Sequence, residues 1–279
     1  MNHQPFVAWL VSNEYSPATI QKYTRALARF FAETGAGPAP WRRPSRGWLA
    51  LSLLLLLAGL GFLAAFGRSQ LQYLAGRQYY AALQADALPA DAAGEPAVDF
   101  AALQAINPDA AAWLDMPGLD LSLPVVRPAD NTTYLHRGFD GSESPAGCLF
   151  FSAADGGDGA LYRVIYGHNL HDGSMFGALL RYRDPEFYAL YPTFTLYTPE
   201  GAATYRIFSC HTATDTEPLY RTDRTAGADY DAFLQQLTEA SEYDTGARPP
   251  AGARVLTLST CLTAYGSGLE RYVLHAYQE

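Results

Sequence analysis

The sequence predicts a mainly β domain, a barrel or sandwich with helices on its rim, preceded by N-terminal helices and a transmembrane helix. Short alternating runs bounded by turn residues fill the last two thirds of the chain: "GCLFFSA", "LYRVIYGH", "TFTLYT", "ATYRIFSCH", "RVLTLSTC" and "RYVLHAY". Helical patterns there are fewer, chiefly "DFAALQAI", "MFGALLRY" and "DYDAFLQQLTEAS". Strands joined by turns, with no alternating helix, favour an antiparallel architecture. Upstream, residues 47–67, "GWLALSLLLLLAGLGFLAAFG", run without a charge for the length an α-helix needs to cross the hydrocarbon core.

Residues 4–35 read as two short helices. The second, "SPATIQKYTRALARFFAETG", has Ser16 as N-cap, Pro17 at the first helical position and Gly35 as C-cap. Ile20, Tyr23, Leu27, Phe30 and Phe31 lie at helical spacing. Its "T...Y...L..F" pattern resembles the start of the N-terminal, DNA-contacting domain of tyrosine recombinases over roughly 30 residues. No catalytic part is included, and a small cytoplasmic helical hairpin is the preferred reading of residues 1–40.

A basic linker, 41–46, leads into the span at 47–67. A cleaved signal peptide would have a shorter apolar run nearer the N-terminus and a small-residue cleavage site, whereas Arg68 follows here. Lys22, Arg25, Arg29, Arg42, Arg43 and Arg46 precede the span against Glu14 and Glu33, which predicts a cytoplasmic N-terminus and an extracellular C-terminal domain. Residues 68–98 read as a helical stalk and a loose Ala/Pro connector, and 99–279 as one domain.

From residue 69 onward there are twelve Arg, no Lys and 26 Asp plus Glu, a formal charge of −14. Such a surface repels phosphates and argues against nucleic acid as a partner of the outer domain. The three cysteines, Cys148, Cys210 and Cys261, are too few for a disulfide framework. No CxxC, Cys/His or EF-hand pattern suggests a metal, since Cys210 and His211 alone lack ligands, and no cofactor is expected.

On an extended "RVLTLSTC", Val255, Thr257, Ser259 and Cys261 share one face, so Cys261 ends the strand where a loop exposes it. A loop at 262–270 returns the chain antiparallel, and Arg271, first of the face Arg271, Val273, His275 and Tyr277, falls near Cys261. A thiol and a guanidinium so placed suit a thiolate and an oxyanion partner. His168 follows a strand and opens a Gly-, Asn- and Asp-containing loop from which an imidazole could reach a neighbouring strand end. Each residue alone also fits a structural role, Cys261 as a small buried hydrophobe and His168 as a ligand of its own turn. His275 reads as structural or surface, while His136 and His171 sit in polar loops.

Taken together, "TLSTC", the Arg ten residues after that Cys, "YGHN..DGSMFG", the frame "NPD..W...PG......PVV" and "NTTYLHRGFDG" resemble class B sortases, the cysteine transpeptidases of Gram-positive cell surfaces. The resemblance spans about residues 98–279. The helix ahead of the barrel and the helix at 230–241 also look like class B. It implies a closed, sortase-like β-barrel of about eight strands. It further implies that Cys261 attacks a threonine carbonyl of a sorting-signal peptide, that His168 protonates the leaving amine and deprotonates the incoming one, and that Arg271 holds the oxyanion or the substrate backbone. Ser259 and Leu135 become groove residues by the same analogy. The acceptor would be a cell-wall precursor or pilin amine. Many relatives carry an acidic or polar residue directly after the cysteine, where this chain has Leu262, so substrate choice stays open. A hydrolytic cysteine peptidase and an inert surface-binding domain are the competing readings. Because Lys22 is the sole lysine, the outer domain offers no lysine amine to its own acyl intermediate.

Overall fold

Among the described residues, the alternating runs form eight strands. They are β1 (Ala110–Met116), β2 (Leu121–Val126), β3 (Leu149–Phe151), β4 (Tyr162–Tyr166), β5 (Thr193–Thr198), β6 (Gly201–Thr214), β7 (Val255–Cys261) and β8 (Glu270–Gln278). They close into a barrel in the order β1-β2-β3-β4-β7-β8-β6-β5. The computed structural model describes residues 8, 11–12, 15–34, 46–87, 98–157, 159–170, 172–263 and 268–279. The first N-terminal helix lies largely outside these residues. Gly35, Phe31's side chain, nearly all of the basic linker, the connector 88–97, His171 and the tip of the loop after Cys261 lie outside them as well.

The chain divides into two compact units, Met1–Ala64 and Ala65–Glu279. In the first, α1 (Pro17–Thr34) begins as the sequence implies, with the Thr19 N–H donating to the Ser16 hydroxyl at 3.3 Å. Ile20 and Leu27 are half-buried, whereas Tyr23 and Phe30 are exposed. The segment 47–67 does not end as a separate helix before a stalk. With no proline to interrupt it, α2 runs unbroken over Arg46–Ala87. By length and composition it is the one helix among the described residues able to cross a membrane.

Two seams of the barrel, β2/β3 and β4/β7, are parallel, which corrects the expectation of an antiparallel sheet; the other pairings are antiparallel. β1 and β2 have weak strand signatures. "AAAWLDM" is rich in alanine, and Pro124 sits within "LSLPVV". Pro124 is tolerated because β3 pairs only with Val125 and Val126, leaving no ladder acceptor waiting for its missing N–H. The "MFGALLRY" stretch winds as a 3₁₀ helix, Phe176–Arg183, and not as an α-helix. Three residues per turn put Phe176, Leu179 and Tyr182 on one fully buried line. Two short α-helices flank these elements: α3 (Phe100–Ile106), capped by the Asp99 carboxylate, and α4 (Pro185–Leu190), capped by Asp184.

Side-chain alternation sorts two cores. Leu256, Leu258, Leu274 and Ala276 point into the barrel with Leu114 and Phe151. Val255, Val273, Val164 and Tyr162 point outward beneath α5 (Ala228–Glu239), which contributes Tyr230, Phe233, Leu234 and Leu237. Burying each such side chain is worth about 1.5–3 kcal/mol. Cys148 and Cys210 are separate buried thiols; burial pushes Cys148 up to about 12 and raises Cys210 as well.

A polar seam runs through the outer layer. Thr257, fully buried, donates to the Tyr162 hydroxyl at 2.8 Å, so the His275 Nδ1–H, 2.7 Å from Thr257 Oγ1, is the donor of that pair. His275 is fully buried, its Nε2 has no hydrogen-bond partner among the described residues, and its ring lies 5.1 Å from that of His211. Burial, with His211 adding to it, holds His275 well below the usual imidazole range. His211, in the body of β6 and not at its end, is lowered by burial, with Glu217 and Glu242 opposing. In the unfolded chain both imidazoles take a proton below about pH 6.5, so the stability from keeping them neutral is present above that pH and is lost as pH falls. The melting temperature should therefore drop between pH 7.5 and 5. His275→Gln should reduce that slope; an unchanged slope would show that the seam does not govern acid stability.

Candidate active site

Three neighbouring strands deliver the sequence-predicted residues to one end of the barrel. In the antiparallel β7/β8 ladder Cys261 lies directly opposite Arg271, and opposed residues project to the same face. β4 runs parallel to β7 with Tyr166 beside Ser259, and the Gly167 N–H continues the ladder to the Ser259 carbonyl at 3.2 Å. Continued two residues past its last pair, the same register aligns His168 with Cys261. Gly167 is required at that step, because a Cβ there would sit 2.4 Å from Leu149 and 2.7 Å from Phe176. Cys261, His168 and Arg271 are all half-buried, with the Cys261 thiol free.

Asn169 fastens the two strand ends together. Its buried side-chain amide donates to the carbonyls of Cys261 at 2.9 Å and Leu262 at 3.3 Å. The imidazole of His168 is oriented from its far side, where Nε2–H donates to the Leu135 carbonyl at 2.7 Å. That bond assigns the proton to Nε2 and leaves Nδ1 as the ring nitrogen able to exchange one. Leu135 is half-buried against the main core, so its structural contribution here is this backbone carbonyl.

Arg271 is held by an acidic partner that the sequence did not indicate. Its Nη2 donates to Asp215 Oδ2 at 3.0 Å, and its Nη1 to the carbonyls of Gly268 and Glu270 at 2.7 and 3.1 Å. Asp215 comes within reach because β6 pairs with β8 in a register placing Ala213 opposite Arg271. The same face carries a tyrosine pair. Tyr220 stacks on Tyr166 with ring centroids 6.0 Å apart, and its hydroxyl meets that of Ser259 at 2.9 Å. Burial raises both tyrosines, with the Arg271 guanidinium pulling each the other way. Ser259 is 1% exposed, so its side chain faces Tyr220 and meets the cleft only through that phenol.

The arrangement joins a free thiol, an imidazole with one nitrogen fixed and one available, and a clamped guanidinium, the parts needed for acyl transfer through a thioester. Among the described residues, no three His, Cys, Asp or Glu side chains converge to hold a metal ion. Asn169 sat unremarked inside "YGHN". Asp215 and Tyr220 had no signal in the sequence, since pairing across the barrel alone brings them here.

Comparisons with known proteins agree with this geometry. A sortase-domain family model matches residues 114–279. The chain is 30% identical over 181 residues to sortase B of Listeria monocytogenes, covering 64% of this chain and 73% of that relative. It is 28% identical over 178 residues to sortase B of Staphylococcus aureus, covering 63% and 73%. The crystal structure of sortase B from B. anthracis in complex with AAEK1 superposes with a TM-score of 0.65 at 30% identity, covering 75% of this chain and 98% of that one. The Staphylococcus aureus sortase B-substrate complex gives a TM-score of 0.61 at 27% identity over 64% and 84% of the two chains. The chain therefore belongs to the sortase family, and within it to class B.

Proposed function

We propose that the protein is a membrane-anchored cysteine transpeptidase in which Cys261 is the nucleophile, His168 the general acid and base, and Arg271 the cation that stabilises developing negative charge. The observation that supports this most is the shared strand end: Cys261 lies opposite Arg271 on β8, two residues beyond the Tyr166–Ser259 pair, where His168 follows Gly167. The solved sortase B-substrate complex of a relative supports a sorting-signal peptide as the donor.

The thiolate of Cys261 attacks the carbonyl carbon of a threonine in the sorting signal, and the tetrahedral oxyanion is met by the positive charge of Arg271. Collapse breaks the C–N bond. Nδ1 has taken the thiol proton as Cys261 ionised, so the ring is an imidazolium, and it passes that proton to the leaving amine, since Nε2–H is committed to Leu135. An acceptor amine, from the cell wall or a pilin, then gives a proton back to Nδ1 as it attacks the thioester, and the thiolate departs. A free cysteine titrates near pH 8.5, so neighbouring positive charge favours the reactive form. Asp215 holds the Arg271 fork in place while offsetting part of its charge.

Residues 47–67 form the anchor, 1–40 the cytoplasmic segment, 68–98 the stalk and 99–279 the catalytic domain. An α-helix of 42 residues spans about 63 Å at 1.5 Å per residue, twice the hydrocarbon thickness. That length accommodates both a membrane crossing and a helical stalk. The basic flank at 22–46 supports a cytoplasmic N-terminus.

Detergent-solubilised full-length protein incubated with a library of sorting-signal peptides should yield a covalent acyl-enzyme by mass spectrometry. Adding a glycine oligomer should convert it to an amide-linked product. Cys261→Ala should abolish both species. Peptide cleavage that an amine neither accelerates nor diverts would favour a hydrolase, and unaltered activity in Cys261→Ala would remove the nucleophile assignment. Arg271→Lys keeps the charge but loses the planar fork, and should lower kcat/KM by about 100-fold. Asp215→Asn should cost about 10-fold, the loss of one charge-assisted hydrogen bond. Equal effects of the two variants would place Asp215 in direct contact with substrate.

A further inference from the structure

The C-terminal part of α2 reaches the barrel through two buried side chains, Tyr80 and Leu83, 8% and 6% exposed. Leu83 makes an apolar contact with the main core. Tyr80 does something more specific. Its hydroxyl donates to the Gly147 carbonyl at 3.0 Å and accepts from the Phe139 N–H at 3.2 Å. Both partners belong to the irregular segment between β2 and β3, where no strand ladder satisfies them. Removing the hydroxyl leaves a buried donor and a buried acceptor unpaired, a more costly change than losing an exposed hydrogen bond.

Gly147 is also the residue in this segment pressed against the proposed general acid. It adopts φ +64°, and a Cβ there would lie 2.6 Å from the Tyr134 carbonyl, 3.0 Å from the Leu135 carbonyl and 3.1 Å from His168 Cδ2. The Cys148 N–H donates to the Tyr134 carbonyl at 3.0 Å, which fixes the Tyr134–Leu135 peptide. The Leu135 carbonyl in turn receives His168 Nε2–H. The imidazole is thus bounded by one stretch of backbone on its Cδ2 edge and at its Nε2 nitrogen. Tyr80 is tied to that stretch.

We propose that Tyr80 is a positioning residue: its hydroxyl, carried on the helix that precedes the barrel, holds the Gly147 backbone so that the Leu135 carbonyl fixes His168 in the Nε2–H form with Nδ1 turned to the proton-transfer task. This rests on the assignment of His168 as general acid and base. The stalk helix then completes the active site in addition to connecting it to the apolar segment. Domains cut to begin after residue 87 would carry an intact barrel with a less ordered imidazole.

The test combines kinetics with nitrogen NMR of the histidine rings in the full chain. Tyr80→Phe keeps the ring in its pocket and removes the bridge. It should lower kcat by about 10- to 100-fold, the usual cost of a misplaced catalytic group, with KM little changed. It should also replace the single Nε2–H signature of His168 by a mixture of tautomers. Leu83→Ala loosens the same helix without touching the polar link, and should lower the melting temperature while leaving the tautomer and kcat as in the wild type. A Tyr80→Phe protein with wild-type tautomer and kcat would overturn the proposal. So would a Leu83→Ala protein that disturbs the tautomer equally, since helix docking in general would then be responsible. A tautomer shift in Tyr80→Phe, in a chain that turns over no sorting-signal peptide even as wild type, would uphold the positioning role while removing the transpeptidase reading.

Discussion

The parallel pairing of β4 with β7 is the constraint on which the site depends. A hairpin can bring Cys261 and Arg271 together, since β7 and β8 are sequence neighbours. The imidazole comes from a residue 93 positions before the cysteine, and only the β4/β7 register, Tyr166 beside Ser259, sets it at the same end. A slip of one residue would send side chains to the opposite face of the sheet. Two devices hold the register. Gly167 fits a gap that admits no Cβ, and Asn169 spends its amide on the two carbonyls at the end of β7.

The surroundings then divide the work among backbone and side chains that do not themselves react. The Leu135 carbonyl sets which imidazole nitrogen carries the proton. Asp215 and two carbonyls set the plane of the Arg271 guanidinium. Ser259 and Tyr220 set a phenol beside it, stacked on Tyr166. Preorganisation of this kind is what allows charged groups to act without rearranging during the reaction. Behind the same strands, the Thr257–Tyr162–His275 seam keeps the outer layer polar yet dry, so the scaffold's acid tolerance is tied to the face that carries the site.

Much of this was legible in the sequence, for identifiable reasons. β7 and β8 have strong alternation and β-branched residues, so the opposition of Cys261 and Arg271 could be reasoned from spacing. The start of α1 was legible from Ser16 and Pro17. β1 and β2 were not, because alanine and Pro124 mask their strand character until neighbouring strands bury them. The two parallel seams were not, because crossover connections leave no local mark. Asp215, Tyr220 and Tyr80 were silent for the same reason: each acts on a residue far away in the chain, through a register or a helix contact that only the closed barrel creates. That the apolar span and the helical stalk join in one unbroken α2 was not legible, because composition changes at Arg68 while the helix does not.

The account stands or falls on proximity among three side chains, and the protein's own thiol inventory gives a direct way to measure it. Cys148 and Cys210 are buried while Cys261 is accessible, so a methanethiosulfonate spin label should attach at position 261 alone. The paramagnetic centre should broaden the ring resonances of His168 and the Nε–H of Arg271 beyond detection, while broadening less those of the buried His275, which pairs with Thr257 four residues away. Sharp, unperturbed His168 and Arg271 signals in a fully labelled, folded protein would show that the three groups do not share a cleft.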